Sequence, residues 1–93
     1  MRIVCLQTIV DAEQNQKDRP AHLQWVFEKQ RESKIEAGGR FADGSGGMII
    51  YTVSDFAEAQ RLAAEDPIIA GGARSFVLHE WLPIDFEHPE SYR

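Results

Sequence analysis

The segment from Lys34 to Val53, KIEAGGRFADGSGGMIIYTV, places the strongest single constraint on the fold. Asp43-Gly44 is a dipeptide that favours the positive backbone angles of a tight hairpin, and it stands between two runs with strand character. The first run alternates Ile35, Ala37, Gly39 and Phe41 with Lys34, Glu36, Gly38 and Arg40, the pattern of an edge strand. The second, MIIYTV, is apolar on both faces. The glycines therefore read as turn chemistry. A phosphate loop of the form G-x-x-x-x-G-K-[ST] needs a lysine where Ser45 follows Gly44, and a G-x-G-x-x-G fingerprint on Gly44 and Gly46 needs glycine where Ile49 stands.

The remaining elements are placed around this hairpin. Residues 2 to 10 form a first strand, again apolar on both faces. The run DAEQNQKD reads as a polar connection, with Asp18 capping a first helix, Pro20 in its first turn, and Leu23, Val26, Phe27 and Gln30 at helical spacing to about Glu32. Ser54 is the expected cap of a second helix carrying Phe56, Ala59, Leu62 and Ala63, which Asp66-Pro67 ends with one further turn before Gly71-Gly72. RSFVLHEWL supplies a last strand. The order is β-α-β-β-α-β: an α+β, ferredoxin-like plan with a four-stranded antiparallel sheet and two helices on one face. The division is one domain over residues 1–83 and a polar tail over 84–93, in which Phe86 alone looks suited to docking on a neighbour.

Right-handed crossovers put the first and third strands at the centre of such a sheet. Those two strands are hydrophobic on both sides, and helices cover only one, so a second chain is expected to cover the other. A homodimer packed sheet against sheet follows, and 93 residues are few enough for a partner to add useful stability. The net charge of −5 argues against a sequence-independent grip on nucleic acid. The apolar run IVCLQTIV is broken by Gln7 and ends at Asp11, so neither a membrane span nor a secretion signal is expected and a cytoplasmic setting is. The lone Cys5 reads as a small buried hydrophobe, and His22, His79 and His88 lack the paired spacing of a metal site. No cofactor signature is present.

Chain direction brings three segments to one rim of this topology: Arg19 and His22 from the first helix, Arg40 and Asp43 from the hairpin, and Asp66 from the end of the second helix. Singly each has a structural explanation, since Asp43 suits a turn and Asp66 suits a helix cap. Together they make a candidate pocket. A histidine beside an aspartate has its tautomer fixed and can give and take a proton near neutral pH. Arg19 and Arg40 would hold a substrate oxyanion, and the amides around Gly44 and Ser45 would steady developing negative charge.

The run R-P-A-H-L, the G-G-x-F-A-D-G-S-G-G hairpin and the D-P after the second helix, spaced as they are, resemble the YciI-like (YCII-related) proteins. The resemblance covers residues 2–82. It implies a dimeric α+β barrel with a rim pocket holding a histidine and an aspartate; by position the histidine is His22 and the aspartate is Asp66, with Asp43 a second candidate. It points only loosely to a reaction, because the superfamily includes lyases, isomerases and cofactor-independent oxygenases acting on small aromatic or lactone-like compounds. Two positions depart from the family pattern: Arg40 stands where a proline commonly follows the two glycines, and Ile68 where an aromatic commonly follows D-P. The resulting expectation is a small-molecule-binding protein, a cofactor-independent lyase or isomerase with His22 and Asp66 as its acid/base pair. The alternative is a non-catalytic dimeric binding or accessory module.

Overall fold

The computed structural model describes residues 1–91, and its elements run β1 (Arg2–Ile9), α1 (Ala12–Arg31), β2 (Ile35–Arg40), β3 (Gly46–Thr52), α2 (Phe56–Glu65), α3 (Pro67–Ala70) and β4 (Arg74–Trp81). Of the tail expected over 84–93, Tyr92 and Arg93 lie outside the described residues. The sheet order is β2-β3-β1-β4, with every neighbouring pair antiparallel. The two doubly apolar segments therefore hold the centre. Alternation along β1 sends Ile3, Cys5 and Gln7 to the helix side, opposite Tyr51, Ile49 and Gly47 of β3. With Ile35, Val53, Ala59, Leu62 and Ala63 these apolar side chains form the core. Each fully buried large aliphatic contributes about 1.5–3 kcal/mol by transfer from water.

The other sheet face carries Val4, Leu6, Met48, Ile50, Val77 and Trp81, and among the described residues no helix covers it. Val77 is 53% and Trp81 44% exposed. Phe86, in the tail, is 84% exposed. No described helix is long and apolar enough to cross a membrane.

Three local expectations are corrected. Helix α1 begins at Ala12, capped by Asp11, whose carboxylate accepts from Gln14 N at 3.0 Å. The run taken for a connection is polar because it faces solvent, while its alanine, glutamate and glutamines favour helix. Pro20 consequently lies inside the helix, at an exposed position where water can satisfy the carbonyl its ring leaves unpaired. Helix α2 is capped by Asp55, which accepts from Glu58 N, while Glu58 Oε1 accepts from Ser54 N, so Ser54 joins a reciprocal capping arrangement one place outside the cap. In β2 a bulge between Ile35 and Ala37 turns Ile35 to the helix side opposite Tyr51, whereas Ala37 pairs with Ile50 on the open face. Strict alternation had put both on one face; the extra residue changes the side.

Candidate functional site

Asp66 owes its position to the chain on both sides of it. It ends α2, its N–H donating to Leu62 O at 3.1 Å, and the following proline holds it at ψ 121°. Its side chain then caps α3, accepting from Ile68 N at 3.1 Å. The short helix lies against α1, and Gly71 permits the approach because a Cβ there would overlap the Asp18 carboxylate. Across this contact His22 Nδ1 lies 2.7 Å from Asp66 Oδ1. From β1, Gln7 Nε2 donates to Asp66 Oδ2 at 3.3 Å. Asp66 is fully buried, and these three donors satisfy it. An ionised carboxylate only accepts, so Nδ1 carries the proton and Nε2 is the ring nitrogen left for a ligand.

Behind this pair the network continues. Arg74, the first residue of β4, donates from Nη1 to Gln7 Oε1 at 3.0 Å and from Nε to Asn15 Oδ1 at 2.8 Å. Those bonds fix the Gln7 amide: its oxygen faces Arg74, so its nitrogen faces Asp66. Burial lowers the Arg74 pKa, the Asp66 charge opposes that, and Arg19 adds to it by repulsion. Arginine remains charged throughout the physiological range. Deeper still, burial pushes the Cys5 thiol up to about 11 and raises the Tyr51 hydroxyl. Tyr51 Oη lies beside Cys5 without a hydrogen bond of acceptable geometry among the described residues.

A cavity of about 330 Å³ opens between α1 and the β2–β3 edge of the sheet. Arg19, His22, Arg40, Gln7 and Arg74 supply its polar lining, and Leu23, Val26, Phe27, Met48 and Ile49 its apolar lining. Gly38 and Gly39 form a low wall, where a Cβ on Gly38 would press on the Ile49 side chain.

The structure thus brings four of the sequence-derived residues together: His22, Asp66, Arg19 and Arg40. It does not place Asp43, Gly44 or Ser45 on the cavity wall. Asp43 is exposed and binds its own turn, accepting from Ser45 N at 2.9 Å and Ser45 Oγ at 2.6 Å, bonds that lower its pKa. Gly44 takes φ 78° and its N–H donates to Phe41 O. Of the two candidate acids, Asp66 is the one bonded to His22. Sequence reading missed Gln7 and Arg74. The signal for Gln7 was present, since it is the one amide on the buried side of an otherwise apolar strand; Arg74 carried none, because a charged residue opening a strand is ordinary.

The topology and the open sheet face define an α+β protein of the ferredoxin-like, dimeric α+β barrel fold class. The YCII-related domain matches residues 1–82, and the chain belongs to that family. It is similar to the uncharacterized protein YjpA of Bacillus subtilis (strain 168), 27% identical over 67 residues that span 72% of this chain and 79% of that one. Among solved structures it resembles 5-chloro-2-hydroxyhydroquinone dehydrochlorinase (TftG) of Burkholderia phenoliruptrix AC1100, in complex with 2,5-dihydroxybenzoquinone. That likeness has a TM-score of 0.75 at 17% identity, covering 88% of this chain and 94% of that one. An antibiotic biosynthesis monooxygenase matches with a TM-score of 0.54 at 18% identity, covering 89% of this chain and 100% of that one. At such identities the two structures establish the fold.

Proposed function

We propose that the cavity binds a small anionic, ring-bearing molecule and that His22, oriented by Asp66, moves a proton on it without a cofactor. The single observation that carries this reading is the 2.7 Å contact from His22 Nδ1 to a fully buried carboxylate at the wall of a cavity. Neutral Nε2 would accept a proton from a carbon beside a carbonyl group of the substrate, whose oxygen takes up the charge as an enolate oxyanion. The electron pair then forms a double bond as a leaving group departs, or recovers the proton elsewhere in an isomerisation. The imidazolium formed is balanced by Asp66. Arg19 and Arg40 neutralise the oxyanion. The similarity to a dehydrochlorinase, whose reaction removes hydrogen chloride, supports elimination as the first chemistry to try. The apolar open face supports a homodimer as the working assembly, with the two sheets packed together.

One observation favours the non-catalytic alternative. The hairpin amides expected to steady negative charge are committed within the turn, Gly44 N to Phe41 O and Ser45 N to Asp43 Oδ1, and so do not supply an oxyanion hole. The deciding experiment screens halogenated hydroquinones and hydroxybenzoates by absorption spectroscopy for turnover, then repeats the active case with His22→Ala. Acid/base catalysis predicts a fall in kcat of roughly 10²- to 10⁴-fold with affinity within a few fold. Unchanged kcat removes His22 from the mechanism, and saturable binding without turnover across the panel favours the module.

A further inference from the structure

Three of the ten lysine and arginine residues of this acidic chain, Arg19, Arg40 and Arg74, line one cavity, and no aspartate or glutamate shares that lining. The three differ in how they are held. Arg40 is exposed and Arg19 half-buried, and neither makes a hydrogen bond or ion pair among the described residues. Arg74 is buried and held by two bonds, from Nε to Asn15 and from Nη1 to Gln7. Nε is thereby used, and the two Nη2 hydrogens and the second Nη1 hydrogen are the donors left for a ligand. A planar guanidinium fixed in this way loses little rotamer freedom on binding and presents a directed charge.

We infer that Arg74 is the principal anion-binding residue of the cavity and that the ligand is a planar, delocalised oxyanion carried on a single apolar ring. This rests on the ligand-binding half of the function proposed above and is independent of its acid/base half. Three arginines face one compensating carboxylate, Asp66, which lies behind His22 and is linked to Arg74 by hydrogen bonds only through Gln7, although its charge is felt at Arg74. The excess positive charge selects an anion, and Arg19 lies close enough to Arg74 for repulsion between them to be relieved by one. Leu23, Val26 and Phe27, on the same helix as Arg19 and His22, select an apolar body; Phe27 is 60% exposed and offers its ring to whatever enters. A volume of about 330 Å³ is at the small end of ligand pockets, which run from roughly 300 to 1,000 Å³, and suits one ring with its substituents.

Benzoate and benzamide share ring and shape but differ in charge, and their titration into ¹⁵N-labelled protein tests the inference. Benzoate should bind at least ten-fold tighter, weaken as salt rises, and shift the Arg74 Nε resonance. Arg74→Met should reduce benzoate affinity by roughly 10- to 100-fold and leave benzamide unchanged. Equal affinity for the two probes, or full benzoate affinity in a folded Arg74→Met protein, overturns it. Should that variant fail to fold by circular dichroism, the unaltered protein decides: benzoate binding that leaves Arg74 Nε unmoved refutes the assignment. Benzoate preference needs no proton transfer, so its loss and the loss of His22-dependent turnover are separate failures.

Discussion

Exchanging the carboxylate and the amide between positions 7 and 66 probes the buried network at its most sensitive point. In Asp66→Asn the amide oxygen can still accept from His22 Nδ1 and Ile68 N, which share Oδ1. The amide nitrogen then replaces Oδ2 and opposes the Gln7 Nε2 donor at 3.3 Å. Gln7 cannot turn over, because its oxygen is held by Arg74. One charge-assisted bond is lost and two buried donors collide, a penalty of about 2 kcal/mol, or roughly 8–16 °C in melting temperature for a domain this small. Gln7→Glu alone sets two carboxylates at that same separation. At an effective dielectric near 20 the repulsion is about 5 kcal/mol, which protonation of one acid relieves, so this variant should recover stability as pH falls. Combining Gln7→Glu with Asp66→Asn restores complementarity: the carboxylate introduced at position 7 accepts both from Arg74 and from the amide nitrogen introduced at position 66, whose oxygen still accepts from His22. Thermal denaturation at fixed protein concentration should therefore place the double variant above both single ones. Additive losses would refute the donor and acceptor assignment on which the site description rests.

Other perturbations test separate parts of the structure. A Cβ at Gly46 would overlap the Gln7 carbonyl oxygen, whereas one at Gly39 meets nothing within 4 Å; Gly46→Ala should lose roughly 4 kcal/mol or more in urea denaturation and Gly39→Ala less than about 0.5 kcal/mol. Burial raises the Cys5 thiol from 9.0 to about 11, so the folded state holds this proton more tightly than the unfolded chain. That contribution is complete below about pH 9 and is lost as pH rises to about 11, at most about 3 kcal/mol, and Cys5→Ala should flatten stability over that window. Tyr51→Phe removes a buried hydroxyl without a hydrogen bond and should leave stability at neutral pH unchanged or raise it by up to about 1 kcal/mol. The unaltered protein should sediment as a dimer at micromolar concentration and Val77→Asp as a monomer; a monomeric unaltered protein would remove the sheet-to-sheet assembly.

The sheet was legible in the sequence because its strongest signals are local: Asp43-Gly44 forms the turn, and IVCLQTIV and MIIYTV can only be central strands. The His22–Asp66 contact was legible for a different reason. Asp66 before Pro67 reads as a cap, and topology sends both it and Asp43 to the end of the sheet where the first helix carries His22; the resemblance to the YCII-related family is what favoured Asp66. What stayed hidden depends on tertiary contacts. Pro20 drew the expected start of α1 toward itself, although Asp11 is the residue with the capping bond, since a proline in a first turn and one on a solvated mid-helix face look alike in sequence. The bulge at Ile35–Ala37 leaves no mark in a strand whose alternation is perfect on paper. Asp43 and Ser45 looked equally suited to ligand or turn, and the turn took both. Gln7 and Arg74 acquire their roles only when β1, β4 and α1 meet, each satisfying polar atoms that the others bury.

The state of the His22 ring is the most direct test of the whole account. Long-range ¹H–¹⁵N correlation spectra of the neutral imidazole should show the proton on Nδ1, held by Asp66, with Nε2 bare and shifting when benzoate enters the cavity. A proton on Nε2, or a His22 ring indifferent to every ligand that binds, would contradict it.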